Sequence, residues 1–301
     1  MKDTTRRHVL ETAVQGALVT QVWPISGRTQ TDTADDQAAP AEPPGRTRRD
    51  HGDRTHRTND TTRPDFEDAS VHVSFDDDEY VDAFTTTSIT DWNTIQSPSE
   101  SDDSYLRIDI PEGEHYGTIL RYEYEEAEGD EPSEAFARYW VRLPESFDPS
   151  DGGKLPGFAG TYDTAGWGGR PADGANGWSA RVGIASPAAA EIDEDVGVSF
   201  YTYHADQGNR YGDNFYWDRG LVYDEWHLVE QHVRLNTPGE NDGVLRAWLD
   251  ENHVCERTDV RFRDTPGIAI EEFHFLVYFG GASPAPTDTA VYVDDLRLGR
   301  P

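Results

Sequence analysis

The chain has 301 residues, enough for one or two domains with a sizeable core. It carries 26 Lys and Arg against 58 Asp and Glu, a net charge of −32, and its only lysines are Lys2 and Lys154. That balance excludes a basic nucleic-acid face and attraction to an anionic membrane, and 11% aromatics exclude a wholly disordered acidic chain.

The charge is uneven. Residues 1–64 hold 10 basic against 9 acidic side chains, and residues 65–301 hold 16 against 49. Such a surface repels itself in dilute buffer. At molar salt the Debye length falls to about 3 Å and the repulsion is screened. The composition predicts a halophilic protein made for a salty medium.

Arg6 and Arg7 precede a mildly apolar stretch over 13–23, interrupted by Gln15, Gly16 and Gln21. It is too short and too polar to span a bilayer. Paired arginines before such a segment predict a twin-arginine export signal over 1–27, and so a secreted, extracellular protein. Residues 28–64 are Thr, Asp, Ala, Pro, Gly and Arg with little to bury, and are predicted to be a disordered linker. Cys255 is the only cysteine, so no intrachain disulfide can form. No later apolar run is long enough for a membrane helix.

From residue 65 the pattern changes to short alternating runs rich in aromatic and β-branched residues. They fall at 71–75, 105–110, 119–124, 136–143, 178–184, 196–204, 226–235, 244–249, 273–279 and 291–298. Turn signals such as Pro111-Glu112-Gly113 and Asn241-Asp242-Gly243 separate them. Many strands at this spacing predict one all-β domain over 65–301, a jelly-roll β-sandwich with a concave groove. Only residues 188–194 read as a short helical turn.

Alternation sorts the faces of three strands. Trp178, Ala180, Val182 and Ile184 form one set, leaving Ser179 and Arg181 on the other face. Val196, Val198 and Phe200 oppose Ser199, Tyr201 and Tyr203. Tyr139, Val141 and Leu143 oppose Arg138, Trp140 and Arg142. Cations are scarce here and tyrosines are costly to leave in water in such numbers, so these faces are expected to line a cleft. Lys154, in Gly152-Gly153-Lys154-Leu155-Pro156-Gly157, is a second candidate. A chain that has replaced lysine nearly everywhere keeps one whose pKa can fall.

The ordered set Gly-Gly-Lys154-Leu-Pro-Gly, Trp178-Ser179-Ala180-Arg181, Tyr201-Thr202-Tyr203-His204 and the segment from Trp226 to Gly239 resembles the jelly-roll polysaccharide lyases of the alginate lyase and glucuronan lyase type, families fourteen and twenty. Phe273-His274-Phe275, Phe279-Gly280-Gly281 and Val293-Asp294-Asp295-Leu296 extend the likeness, which covers about 136–298. Leu249-Asp250-Glu251 departs from the usual Leu-Asp-Gly. The resemblance implies a concanavalin-like fold, and Lys154, Ser179, Arg181, Tyr201 and Tyr203 in an active groove. It implies cleavage of an acidic polysaccharide, alginate- or glucuronan-like, by β-elimination.

That chemistry removes a weakly acidic proton beside a uronate carboxylate. It needs cations for the carboxylate, a base, and an acid for the leaving oxygen. Tyr203, and after it Tyr201, is expected to serve as base and acid. Arg181 and Lys154 would bind the carboxylate with Ser179 as hydrogen-bond partner. Arg138, Asn214 and Tyr216 are candidate subsite residues. There is no His-Glu-x-x-His, Cys pair or EF-hand loop, so no cofactor or metal site is expected. A structural Ca²⁺ would find oxygen ligands in so acidic a sandwich, but no motif locates one. A monomer acting on an acidic polysaccharide is expected. A non-catalytic carbohydrate-binding module of the same fold is the rival reading.

Overall fold

Aromatic and β-branched residues at every second position bury one face of a strand, and the chain repeats this pattern until two sheets close on each other. The structure, a computed structural model, describes residues 62–67, 69–97, 104–150, 152–281 and 283–301. The predicted export signal and nearly all of the predicted linker lie outside the described residues. Just before residue 65, the Arg63 guanidinium forks the buried Glu230 carboxylate at 2.8 and 2.9 Å.

Among the described residues fifteen strands make two antiparallel sheets. In chain order they are β1 (Val71–Val73), β2 (Thr86–Ile89), β3 (Asn93–Gln96), β4 (Tyr105–Ile110), β5 (Tyr116–Glu123), β6 (Glu134–Arg142), β7 (Gly153–Gly160) and β8 (Trp178–Ala185). There follow β9 (Gly197–Tyr203), β10 (Asp213–Tyr216), β11 (His227–Arg234), β12 (Gly243–Leu249), β13 (Asn252–Val260), β14 (Glu272–Tyr278) and β15 (Thr289–Gly299). One sheet runs β13-β12-β11-β6-β15-β4-β3, with β1 on β15. The other runs β10-β9-β8-β7-β14-β5-β2. The all-β jelly-roll sandwich is as expected. The helices are short: a 3₁₀ turn at Asp78–Ala83, α1 at Tyr124–Glu128 and α2 at Pro187–Ala190.

The core lies between the sheets. Trp178, Phe158, Phe200, Phe273 and Phe275 come from the seven-stranded sheet, and Tyr139, Val229 and Val293 from the other. Each such side chain stabilises the fold by about 1.5–3 kcal/mol on burial. Trp178 also donates its Nε1–H to Ala269 O at 2.9 Å.

β7 is central although its glycines and proline read as a turn. Its glycines answer close approach: a Cβ on Gly157 would lie 2.4 Å from Ala180 O. Pro156 forms a bulge between Leu155, opposite Val182, and Gly157, opposite Arg181. Its carbonyl turns inward and accepts from Gln231 Nε2 at 2.9 Å and Tyr139 Oη at 3.2 Å, both on the facing sheet. The extra residue reverses the alternation. Counting by twos from the core residue Phe158 would bury Lys154. The bulge instead sets Lys154 opposite Gly183 on the outer face.

Gln231→Leu removes the nearer of the two donors to a carbonyl with no ladder partner. It should cost about 1–3 kcal/mol, read from the urea midpoint. Tyr139→Phe should cost less, and the pair more than the two singles together, because the pair strands the carbonyl. Unchanged midpoints in all three would remove this clasp from the account.

Candidate active site on the seven-stranded sheet

The ladder registers align the outward side chains of this sheet into rungs that cross the strands. One rung reads Tyr116, Tyr278, Lys154, Gly183, Ser199, Tyr216 from β5 to β10. The next reads Arg121, His274, Gly157, Arg181, Tyr201, Asn214. The third reads Glu123, Glu272, Ala159, Ser179, Tyr203. The predicted pairings of Ser179 with Arg181 and Tyr201 with Tyr203 on shared faces hold, and both faces belong to one sheet.

Lys154 is the central cation. Its Nζ lies 4.3 Å from the Tyr201 ring centroid and donates to Gly153 O at 3.1 Å. Burial and the neighbouring Arg181 push its pKa down to about 7, and among the described residues no carboxylate opposes the shift. Arg181 is 4% exposed. Its Nη1 donates to Tyr278 Oη at 2.6 Å, and its Nε has no partner among the described residues. Burial raises the pKa of Tyr278. Burial and the adjacent Tyr203 phenol raise that of Tyr201, whose hydroxyl oxygen accepts Gly212 N–H at 3.2 Å. Tyr201 therefore stays protonated at neutral pH.

Two of the predicted residues are not open to the face. Ser179 is fully buried and donates to Gly166 O at 2.6 Å. Tyr203 is 1% exposed, and its hydroxyl oxygen accepts Gly169 N–H at 3.1 Å. Both hold one turn. Gly168 and Gly169 have φ of +55° and +75°, and Arg170 N–H closes onto Trp167 O at 2.9 Å. This is the type I′ geometry that a Gly-Gly pair adopts without strain. The turn lies over the end of the third rung and screens Ser179 and Tyr203.

Arg138 is a correction. It lies on β6 in the eight-stranded sheet, with Asp295 at 3.4 Å and its guanidinium 5.5 Å from the Phe66 ring. Alternation along a strand tells which residues share a face, not which sheet the strand joins. Asn214 and Tyr216 are on the outer face of β10, both exposed, and Asn214 Oδ1 accepts from Ser199 Oγ at 3.0 Å.

β14 supplies side chains that were not singled out. Tyr278 pairs across the ladder with Lys154, and Tyr116 stacks on it at 5.3 Å. Glu272 and His274 contact each other beside Arg121. Burial lowers the pKa of His274, whereas for Glu272 the His274 and Arg121 charges outweigh burial and hold the carboxyl low. The alternation in Phe273-His274-Phe275 carries the signal for this face. Among the described residues no three His, Cys, Asp or Glu side chains converge as a metal site.

Comparison with known proteins adds a family to this geometry. Solved structures of similar fold include the marine PL-14 alginate lyase from Aplysia kurodai, 18% identical with a TM-score of 0.61 over 77% of this chain and 99% of that one. The alginate lyase Aly36B is 24% identical, with a TM-score of 0.57 over 69% and 86%. An endo-beta-1,4-glucuronan lyase from the fungus Trichoderma reesei is 15% identical, with a TM-score of 0.52 over 77% and 96%. No curated protein sequence matches the chain. At these identities the likeness is one of fold. The family model for polysaccharide lyase 14 matches residues 99–296, the span that contains the whole bulged strand, both tyrosines of β9 and the Lys154–Arg181 pair, and the chain belongs to that family.

Proposed function

We propose that the protein cleaves a polyuronide by β-elimination at Lys154, with Arg181 and Tyr201 as its partners. The observation that carries the reading is a desolvated lysine with a pKa of about 7, lying on the ring of a tyrosine that keeps its proton. A passive sugar-binding face has no use for such an amine, whose charge is costly where it sits.

The roles follow from the geometry. Arg181, held by Tyr278, meets the uronate carboxylate with its unspent donors and withdraws charge from the adjacent carbon. Lys154, as the neutral amine, takes that carbon's proton. The released electron pair forms the carbon–carbon double bond as the neighbouring bond to the glycosidic oxygen breaks. Tyr201 hands its proton to the leaving oxygen. This assigns the acid to Tyr201 rather than Tyr203, because Tyr203 is buried behind the Gly168-Gly169 turn. Ser179 and Tyr203 hold that turn instead of touching the sugar. We also read the protein as exported and salt-adapted, the net charge of −32 being tolerable for a polyanion's enzyme only where salt screens it.

The test is a panel of polyuronides in about 0.1 to about 3 M salt, read by ultraviolet absorbance of the unsaturated product. Activity should rise with salt on at least one of them; none cleaved at any salt would end the lyase reading. Tyr201→Phe should cost about 10²–10⁴-fold in kcat, and Tyr203→Phe less than about tenfold, through loosening of the turn.

Lys154→Met should abolish activity yet stabilise the fold. The folded-state pKa lies below the ordinary 10.5, so the unfolded chain holds more protons between about 7 and 10.5. The stability gain over the parent should be largest below pH 7 and fade toward pH 10.5. A gain that ignores pH would contradict the lowered pKa.

A further inference from the structure

Residues 65–301 hold 16 cations among 49 acidic side chains, and most of the cations are matched. Arg107 pairs with Asp109, Arg246 with Glu256, Arg257 with Asp259 and Arg300 with Glu128. Arg142, Arg234 and Arg263 are held by aromatic rings or backbone carbonyls. Among the described residues no carboxylate ion pair forms to these three, nor to the four cations at the site, Lys154, Arg181, Arg170 and Arg210. The first two form the floor of the site. The other two are exposed and stand on two segments joined at its edge.

Arg170 closes the type I′ turn, and its guanidinium lies 3.9 Å from the centroid of the Trp167 ring. Arg210 sits on the segment between β9 and β10, 5.8 Å from the ring of Tyr211, which is 55% exposed. The two segments meet at Gly169, whose carbonyl accepts from Arg210 Nε at 3.2 Å. A Cβ on Gly169 would lie 2.8 Å from Arg210 Nε and 3.1 Å from the Tyr211 ring. Each segment is fastened to the floor by an amide, Gly169 N–H to Tyr203 and Gly212 N–H to Tyr201.

An exposed arginine in so acidic a chain would by default fold onto a carboxylate. Here aromatic rings and a backbone carbonyl hold both guanidinium groups away from any. Their forked N–H donors remain for an outside anion. In salt, where long-range attraction is screened, only such short contacts distinguish one anionic chain from another.

We propose that Arg170 and Arg210 form a second carboxylate subsite on the wall of the face, binding a uronate of the same polymer away from the bond being cut. The identity of the polymer rests on the lyase reading; the site itself does not. Two carboxylate subsites require charged sugars in series. An uninterrupted polyuronide is then preferred over a chain in which isolated uronates alternate with neutral sugars.

The experiment compares the parent with Arg170→Gln/Arg210→Gln on a polyuronide and on the same polymer with part of its carboxyls reduced to alcohols. The double variant should raise KM about tenfold with kcat within about twofold, and should lose the parent's preference for the unreduced polymer. Its KM should also depend less steeply on salt. Arg170→Lys/Arg210→Lys should restore part of the affinity, which a variant that merely unfolds the turn would not. Binding is read separately in the non-cleaving Lys154→Met background, from quenching of tryptophan fluorescence that Trp167→Phe removes and the double glutamine variant weakens. Unchanged KM and unchanged quenching in the double variant would overturn the wall subsite. A fall in kcat at constant KM would overturn it too, and would make the wall a positioning device. Quenching without any unsaturated product in the parent would end the lyase reading while leaving the wall standing. Neither binding nor cleavage of any polyuronide would end both.

Discussion

Pro156 has no N–H to give the ladder, and its carbonyl turns into the core to meet Gln231 and Tyr139 from the facing sheet. The rest of the site depends on that contact. With the extra residue accommodated, Lys154 and Gly157 share the outer face, and Gly157 lets the backbone at Ala180 and Arg181 close against β7. Without it, the alternation fixed by Phe158 would carry the lysine into the sandwich. Two polar side chains in a mostly apolar core thus decide on which side of a sheet an amine appears. They also tie the two sheets together, because the donors and the acceptor come from opposite layers.

The position so created is electrostatically expensive. Lys154 is desolvated, faces Arg181, and has no carboxylate among the described residues to offset either effect. Burying a charge in this way destabilises the fold, and the apolar core between the sheets supplies the compensation. A carboxylate beside the lysine would relieve the cost and return the amine to its ordinary protonation. In so acidic a domain, a lysine with no described carboxylate beside it is a structural feature in its own right. Glu272, a buried carboxylate on the same face, is engaged by His274 and Arg121 two strands from Arg181.

Strand alternation made much of this legible. Regular runs such as residues 178–184, 196–204 and 273–279 announce both their strands and their faces, and the jelly roll follows from their number. The pairing of Ser179 with Arg181 and of Tyr201 with Tyr203 needs nothing beyond period two. β7 was not legible as a strand, since Gly153, Pro156, Gly157 and Gly160 are turn residues by composition. They suit this strand because neighbouring backbones press against it. Arg138 misleads for a different reason: its face is readable, but its sheet is set by β11 and β15, remote in sequence. Tyr278 follows the same alternation as Phe273 and Phe275 and was available to the same logic. The burial of Ser179 and Tyr203 was not, because it comes from Gly166 and Gly169 in an irregular segment.

That segment changes what the Ser-x-Arg and Tyr-x-Tyr pairs mean. In each pair one residue lies on the floor of the face and the other bolts the wall: Arg181 and Tyr201 on the floor, Ser179 and Tyr203 under the turn. Period two delivers both to the same face, and a two-residue step of about 6.6–6.8 Å along a strand separates the tasks. Arg181 bridges them, reaching Tyr278 on one side and Gly166 O on the other. Floor and wall therefore cannot shift independently. Displacing the backbone at Gly166 should disturb chemistry through Arg181, whereas exchanging the exposed side chains of Arg170 and Arg210 leaves that contact in place. Loss of activity on replacing Ser179 or Tyr203 would fit either a chemical role or this mechanical one. Only a readout of the wall, separate from turnover, tells them apart.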